Sequence, residues 1–371
     1  MSVVHFYPLN EVHVEEDILA GIERLYEAAG FGKIFSKNDF CAVKLHFGEK
    51  GNLNYLSPVY VKKTVSLLRK NGVKPFLTDA NTIYQGSRAN SVDHLTVAYR
   101  HGFLPEKTGA PVIIADGLTG KDYRLLTIDK KHFRTVKIGS AALDCDSMMV
   151  LTHFKGHMLA GYGGALKNVG MGLASRSGKQ EQHSDVKPKV IPTLCTLCLA
   201  CMGICPANAI REGSGSAHIN HDKCIGCGEC TAVCMSGAIK VRWATDNRTF
   251  QEKMIEYAYG ILDRLSGRAA FINFLINITP HCDCMETDDP PIAPDIGILA
   301  SRDPVSLDRA CADLVNSREG LPSSNFGKRV NAISAGQDKF REIHNIDWSH
   351  QLKYAEKLGL GELDYDLVEL R

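Results

Sequence analysis

The sequence predicts an α/β fold, a mixed, largely parallel sheet covered by helices, with a small α+β module inserted into it. Three observations carry this. The first 150 or so residues alternate helix-like apolar stripes with short strand-like runs, the pattern that builds parallel sheets. The same alternation resumes after residue 241. Between the two lies a segment holding two four-cysteine runs of identical spacing. The chain therefore divides into 1–190, the first part of an α/β domain, 191–241, an insertion, and 242–371, the second part of that domain. Polar, proline-containing or charged stretches mark both borders, "HSDVKPKVIP" before the insertion and "VRWATDNRT" after it.

Taken in order, "EEDILAGIERLYEAAGFG" places Ile18, Ile22, Leu25 and Ala29 on one helical face and stops at Gly30. "FCAVKLHF" at 40–47 reads as a strand. Ser57 then supplies an N-cap and Pro58 a first helical position for a helix whose stripe is Val61, Val65 and Leu68. "VKPFLTDAN", "PVIIAD", "RTVKIG" and "SMMVLTH" are the next strands. After the insertion, Phe250, Met254, Tyr257, Ile261 and Leu265 fall on one face of a long helix. "AAFINFLINI" and "DIGILAS" read as buried strands, and Asp303 caps a helix that opens with Pro304.

Composition narrows the function classes. The 43 Lys and Arg residues nearly balance 42 Asp and Glu, leaving a net charge of +1, so no nucleic acid or anionic membrane is implied as a charge-driven partner. The N-terminal stretch has no basic and apolar leader pattern, and "AAFINFLINI" is too short to span a bilayer, so the expected location is cytoplasmic. Thirteen cysteines, many in C-x-x-C spacing, then point to metal ligation in a reducing compartment rather than to a disulfide framework.

The runs are Cys195, Cys198, Cys201 and Cys205, followed by Pro206, and Cys224, Cys227, Cys230 and Cys234, followed by Met235. Each spells C-x2-C-x2-C-x3-C, and "ANAIRE" is echoed by "SGAIKV", which makes the segment an internal repeat. Zinc sites pair C-x2-C hooks and have no third cysteine at the same interval, so zinc suits this spacing poorly. The segment from 191 to 241 resembles the bacterial two-cluster ferredoxin module, in which the fourth cysteine of each run ligates the other cluster. That resemblance implies two [4Fe-4S] clusters, one held by Cys195, Cys198, Cys201 and Cys234, the other by Cys224, Cys227, Cys230 and Cys205. It also implies a redox partner protein such as a ferredoxin or an oxidoreductase.

Several polar stretches sit at predicted strand ends, where open α/β sheets build their sites. They are "KLHFGEKGN", "TDANTIYQGSRAN", "THFKGHMLAGYGGALKNVGMGLASRSGK" and "NITPHCDC". With "GILASRDPVSLDRAC" they resemble the family called domain of unknown function 362, in which a ferredoxin module commonly accompanies the main domain. The resemblance implies an architecture and no particular reaction.

The third stretch mixes glycines with basic residues, suited to an anionic small molecule or cofactor, although it matches neither a P-loop nor a dinucleotide fingerprint. His153, His157 and Lys167 are its candidate catalytic residues, and Lys155, Gly163, Gly164, Asn168, Asp79 and Asn81 the candidate ligand-binding ones. A tightly turned surface connection is the plainer alternative for the stretch. On a helix, His153 and His157 would share a face as a metal pair.

In an extended "CDC", Cys282 and Cys284 point the same way, which allows a soft metal, a redox role, a disulfide or simply two buried thiols. His46 and Glu49 are a weaker acid/base candidate than a turn, and Cys41, Cys145 and Cys311 read as core.

The function expected from these features is iron-sulfur electron transfer to or from a small-molecule site in the α/β domain. The alternatives are a non-enzymatic electron carrier docking a redox partner, and a metal-dependent non-redox enzyme with structural or sensing clusters and a third metal.

Overall fold

A computed structural model describes residues 1–84, 86–183, 187–224, 226–240, 246–285, 289–321 and 334–370. Residues 184–186 and 241–245, where the sequence places the borders of the insertion, lie outside the described residues. Eight strands form the main sheet: β1 Ser2–Pro8, β2 Phe40–Lys44, β3 Lys74–Asp79, β4 Val112–Ile114, β5 Ser147–His153, β6 Ala269–Leu275, β7 Gly297–Ser301 and β8 Tyr365–Glu369. Their order is β8-β1-β7-β6-β5-β2-β3-β4. From β6 to β4 every pair is parallel; β7 alone runs against both its neighbours, β6 and β1, and β8 pairs parallel to β1.

Side-chain alternation along the strands feeds two cores. Met148 and Val150 of β5 face one of them, Met149 and Leu151 the other; Phe271 and Ile272 of β6 divide the same way. One face is covered by α1 (Glu15–Ala28) and α2 (Pro58–Lys70), which bring Ile18, Ile22, Leu25, Val61, Val65 and Leu68. Beyond them lies α3 (Ser91–Arg100). The other face is covered by α4 (Ala165–Gly170), α6 (Asn247–Leu265), α7 (Pro304–Ser317) and α8 (Ser349–Lys357), and α5 (Arg176–His183) lies at the end of the sheet.

The caps form as the sequence predicts. Ser57 accepts from the Val59 amide, Asp303 accepts from Val305 and Ser306, and Gly30 adopts φ 62° just beyond α1. Asn90 caps α3, its side chain accepting from the Asp93 amide.

Three differences from the sequence reading matter. "RTVKIG" is a strand, Thr135–Gly139, but it pairs with Tyr123–Thr127 in a separate hairpin and not in the main sheet. The edge strand β8 and its neighbour β1 have no counterpart in the sequence reading, and the two are held by pairing across the chain's whole length. The glycine-rich stretch is not a surface connection: it runs through β5, a buried hairpin of Lys155–His157 and Gly161–Gly163, and α4.

Its glycines permit close approach. A side chain on Gly170 would collide with the Met254 carbonyl of α6, and one on Gly164 with the Asp308 carboxylate of α7. That carboxylate closes α4 by accepting from the Ala165 and Leu166 amides at 2.7 and 3.0 Å. Gly170→Ala is expected to push α4 off α6 and lower the unfolding free energy by about 1–3 kcal/mol, read from the urea midpoint.

Candidate functional site

The parallel strands β2, β3, β5 and β6 all end at one edge of the sheet, and there the chain leaves a cavity of about 700 Å³. It gathers residues far apart in sequence, among them Lys44 at the end of β2 and His46 just after it, Asp79 at the end of β3, and Lys155 and His157 beyond β5. Gly163, Gly164, Lys167 and Asn168 come from the start of α4, Lys179 and His183 from α5, and Cys282 and Cys284 from beyond β6.

Charges are paired in a chain around this cavity. Lys44 Nζ lies 3.1 Å from Asp79 and donates to Asn168 Oδ1 at 2.7 Å. Arg88 reaches Glu49 at 3.1 Å, Asp79 at 3.6 Å and the Tyr84 hydroxyl at 2.9 Å. Burial opposes the charge of Asp79, but Lys44 and the other cations around it outweigh burial and hold its pKa below the usual carboxylate range.

On the opposite wall Asp283 accepts from His153 at 2.8 Å and lies 3.0 Å from Lys155 Nζ. Burial disfavours the carboxylate, yet these two partners bring its pKa to about 2. Lys179 donates only to the carbonyls of Ala80 and Asn81, at 3.1 and 2.8 Å, and burial lowers its pKa to about 8. Lys167 Nζ lies 3.7 Å from Cys282 Sγ.

The "CDC" segment is a turn closed by the Met285 amide on the Cys282 carbonyl, not an extended strand, yet both sulfurs still face the cavity while Asp283 points away. All described cysteines are free thiols. The neighbouring Cys284 thiol, with Lys167 and Lys155, favours the Cys282 thiolate against burial; the pKa of Cys284 is correspondingly raised. Among the described residues no three His, Cys, Asp or Glu side chains converge on one ion position.

The histidines separate. His153 lies on β5 and His157 in the following hairpin, so no helix gives them a shared face. Both ring nitrogens of His153 face oxygen acceptors, Asp283 and the Asn277 carbonyl, and the residue serves to orient Asp283. His157 lines the cavity; its Nδ1 accepts from the Leu159 and Ala160 amides, and burial holds its pKa well below the usual value. Asn81 turns away from the cavity to Asp116 and Gly117. His46 accepts from the Gly48 amide and Glu49 pairs with Arg88, so these two are not partners.

Sequence reasoning passed over Lys44, although a lysine at the end of an apolar strand is a visible signal. It also passed over His183, which stacks on Phe250 and has no periodic marker.

In the insertion, Cys195, Cys198, Cys201 and Cys234 line one small cavity, and Cys205, Cys224, Cys227 and Cys230 line a second. Residues two and four after the first cysteine of each run, Leu197 and Leu199, Gly226 and Gly228, all take positive φ of 53–74°. Two leucines held there show how tightly the loop must wrap. Backbone amides of Ala217, Ile239 and Ala209 donate to the sulfurs of Cys195, Cys234 and Cys205 at 3.3–3.4 Å.

Helix α5 joins the two regions. Lys179 and His183 line the large cavity, while Gln180 packs on Gly228 and accepts from Thr231 at 3.3 Å. Beside it Lys137 bridges Glu181 at 2.7 Å and Glu229 at 3.1 Å and donates to the Cys227 carbonyl at 2.9 Å.

The family described as domain of unknown function, DUF362, matches residues 41–313. The chain belongs to the DUF362 family. Over shorter stretches this DUF362 chain is similar to electron-carrying proteins. An uncharacterised ferredoxin of Methanocaldococcus jannaschii is 43% identical over 53 residues, 14% of this chain and 32% of that protein. The 7Fe ferredoxin of Hydrogenibacillus schlegelii is 42% identical over 48 residues, 13% of this chain and 62% of that protein. A component of the ion-translocating oxidoreductase complex of Methanosarcina acetivorans is 40% identical over 62 residues, 17% of this chain and 23% of that component. The DUF362 chain thus spans less than two thirds of each of these relatives and carries a ferredoxin-type module.

Among solved structures, the lactate racemase apoprotein of Thermoanaerobacterium thermosaccharolyticum aligns with 99% of this chain and 82% of its own, at 10% identity and a TM-score of 0.44. No helix among the described residues is long and apolar enough to cross a membrane.

Two outcomes follow from the buried charges. His94 lies 3.9 Å from Asp79, but burial and Arg88 lower its pKa to about 3, so the ring is neutral and the pair is not ionic. Unfolded, that ring takes up a proton below about pH 6.5 and folded it does not, so stability falls as pH drops. Between about pH 7.5 and about pH 5.5 the parent is expected to lose roughly 1 kcal/mol more than His94→Asn, measured by chemical denaturation. Lys137→Met strands two largely buried carboxylates at the insertion's contact with α5. It is expected to cost about 3 kcal/mol and to hasten limited proteolysis of the insertion.

Proposed function

We propose that this protein is an iron-sulfur redox protein whose insertion holds two [4Fe-4S] clusters and whose cavity holds an anionic small molecule that gives or takes the electrons. The observation that carries the reading is helix α5, with one side on the cavity and the other on the second cysteine set. A single helix, about 10–12 Å across, separates the two.

The donor sets suit the clusters. Cys195, Cys198, Cys201 and Cys234 would hold one, and Cys205, Cys224, Cys227 and Cys230 the other, with four thiolates each and backbone amides directed at the sulfurs. Bound there, such clusters supply one-electron transfer at low potential. The ferredoxin relatives support the same chemistry.

The chain's own residues do the rest. Lys167 and Lys179, neither in contact with a carboxylate among the described residues, favour an anion in the cavity, and Lys44 and Asn168 fix the adjoining wall. His157, held neutral with Nδ1 accepting amides, is left with its Nε2 proton to donate. A redox partner is expected at the first cysteine set, where Cys198 is exposed and the flanking Leu194, Met202 and Met235 are exposed apolar side chains.

Anaerobic protein should contain about eight iron and eight sulfide per chain. In paramagnetic resonance Cys205→Ser should perturb the same signal as Cys227→Ser and spare the one altered by Cys198→Ser. Iron-free protein refutes the reading, and a Cys205→Ser spectrum matching Cys198→Ser refutes the crossed ligation.

A further inference from the structure

Outside the insertion five cysteines remain, and three of them, Cys41, Cys145 and Cys311, are sealed in the hydrophobic cores. Cys282 and Cys284 are different, because both line the large cavity. Their turn is clamped from several sides. His153 and Lys155 hold the Asp283 carboxylate, the Glu49 amide donates to the Asp283 carbonyl at 2.9 Å, and the Tyr84 hydroxyl donates to the Cys284 carbonyl at 3.0 Å. The Met285 amide closes the turn on the Cys282 carbonyl at 3.0 Å.

So much fixation of a two-thiol turn is more than packing requires, and it holds both cysteines in the lining of one cavity. A turn also brings residues two apart within the Cα separation of about 4.4–6.8 Å that a disulfide tolerates. Lys167 places an ammonium 3.7 Å from Cys282 Sγ, whereas among the described residues Lys167 and Arg88 reach Cys284 through their charge and not through a contact, so the two sulfurs have unequal roles.

We propose that Cys282 and Cys284 form a redox-active dithiol-disulfide pair, the two-electron station of the cavity, and that its substrate is a small anionic disulfide. The proposal rests on the redox reading above for the source of its electrons.

The Cys282 thiolate attacks one sulfur of the substrate, breaking the substrate S–S bond, releasing one half as a thiolate and leaving the other in a mixed disulfide. Cys284 then attacks Cys282 Sγ, closing the Cys282–Cys284 bond and releasing the second half, which carries away the Cys284 proton. Two electrons and one proton return the pair to thiolate and thiol. The electrons arrive singly from the reduced low-potential iron-sulfur donor that the insertion is proposed to hold, across α5. Lys167 and Lys179 favour the negative groups of the substrate and of the departing thiolate. Disulfides found in reducing compartments are of this transient, catalytic kind.

The test uses anaerobic holoprotein with two probes of similar length and opposite charge, dithiodiglycolate and cystamine. Differential alkylation and peptide mass spectrometry follow the peptide carrying Cys282 and Cys284. Dithiodiglycolate should convert the pair to an intramolecular disulfide, seen as loss of two hydrogens and of alkylation. After correction for each probe's rate with a free dithiol, it should outpace cystamine by about tenfold or more. Cys284→Ser should stop at Cys282 joined to one probe half.

Reduced methyl viologen should then restore the thiols about tenfold faster in holoprotein than in protein stripped of iron. A pair that stays alkylatable while the visible absorbance of the clusters bleaches and recovers normally overturns this inference and leaves the iron-sulfur reading standing. So does equal re-reduction with and without iron, or a preference for cystamine. Protein that never contains iron overturns the iron-sulfur reading instead, and disulfide formation at Cys282 and Cys284 is scored independently of it.

Discussion

Lys44, Arg88, Lys155 and Lys179 are nearly or wholly shielded from water, and a buried cation costs several kcal/mol unless other groups hold it. Carboxylates from separate loops meet that cost. Asp79 at the end of β3 serves Lys44 and Arg88, Glu49 serves Arg88, and Asp283 beyond β6 serves Lys155. The pairs tie the ends of the parallel strands, and the segments that follow them, to one another around the cavity. Lys179 donates to backbone carbonyls and Lys167 lies beside Cys282 Sγ, so among the described residues neither makes a carboxylate contact, and Asp116 and Asp79 act on Lys179 only through their charge.

A second dependence runs through α5. This helix is polar throughout and still almost entirely buried, because it has two partners and faces no solvent. A helix of that composition is unstable alone. It forms here because Lys179 donates to the carbonyls of Ala80 and Asn81 on one side, while Gln180 and Glu181 meet Thr231, Lys137 and Tyr257 on the other. The contact between insertion and α/β domain is thus polar and directional. Such a contact fixes the second cysteine set against the helix in one register, where an apolar contact would tolerate sliding.

Much of the fold was legible residue by residue. The caps at Ser57 and Asp303, the stripe from Phe250 to Leu265 and the strand Ser147–His153 depend on local rules, and each formed as those rules require. Strands β1 and β8 and the pairing of Thr135–Gly139 were not legible, because their partners are selected by tertiary pairing. In the site, "HCDC" and the glycine-lysine stretch stood out by composition, and both reach the cavity. Lys44 and His183 did not stand out, because a single polar residue at the end of a strand or helix acquires meaning only from what faces it. His153 stood out and proved to be a support for Asp283, a distinction that depends on which atoms its two nitrogens meet.

The sequence by itself determined the α/β class and the two equally spaced cysteine runs, because periodicity and ligand spacing are properties of consecutive residues. Only the tertiary structure decided that α5 has one side on the cavity and one on the cysteine module, and that Cys282 and Cys284 open onto the same cavity as Lys167 and Lys179. Those neighbours are separated by up to a hundred residues or more along the chain. Their meeting is set by strand order and charge compensation, which no local pattern encodes.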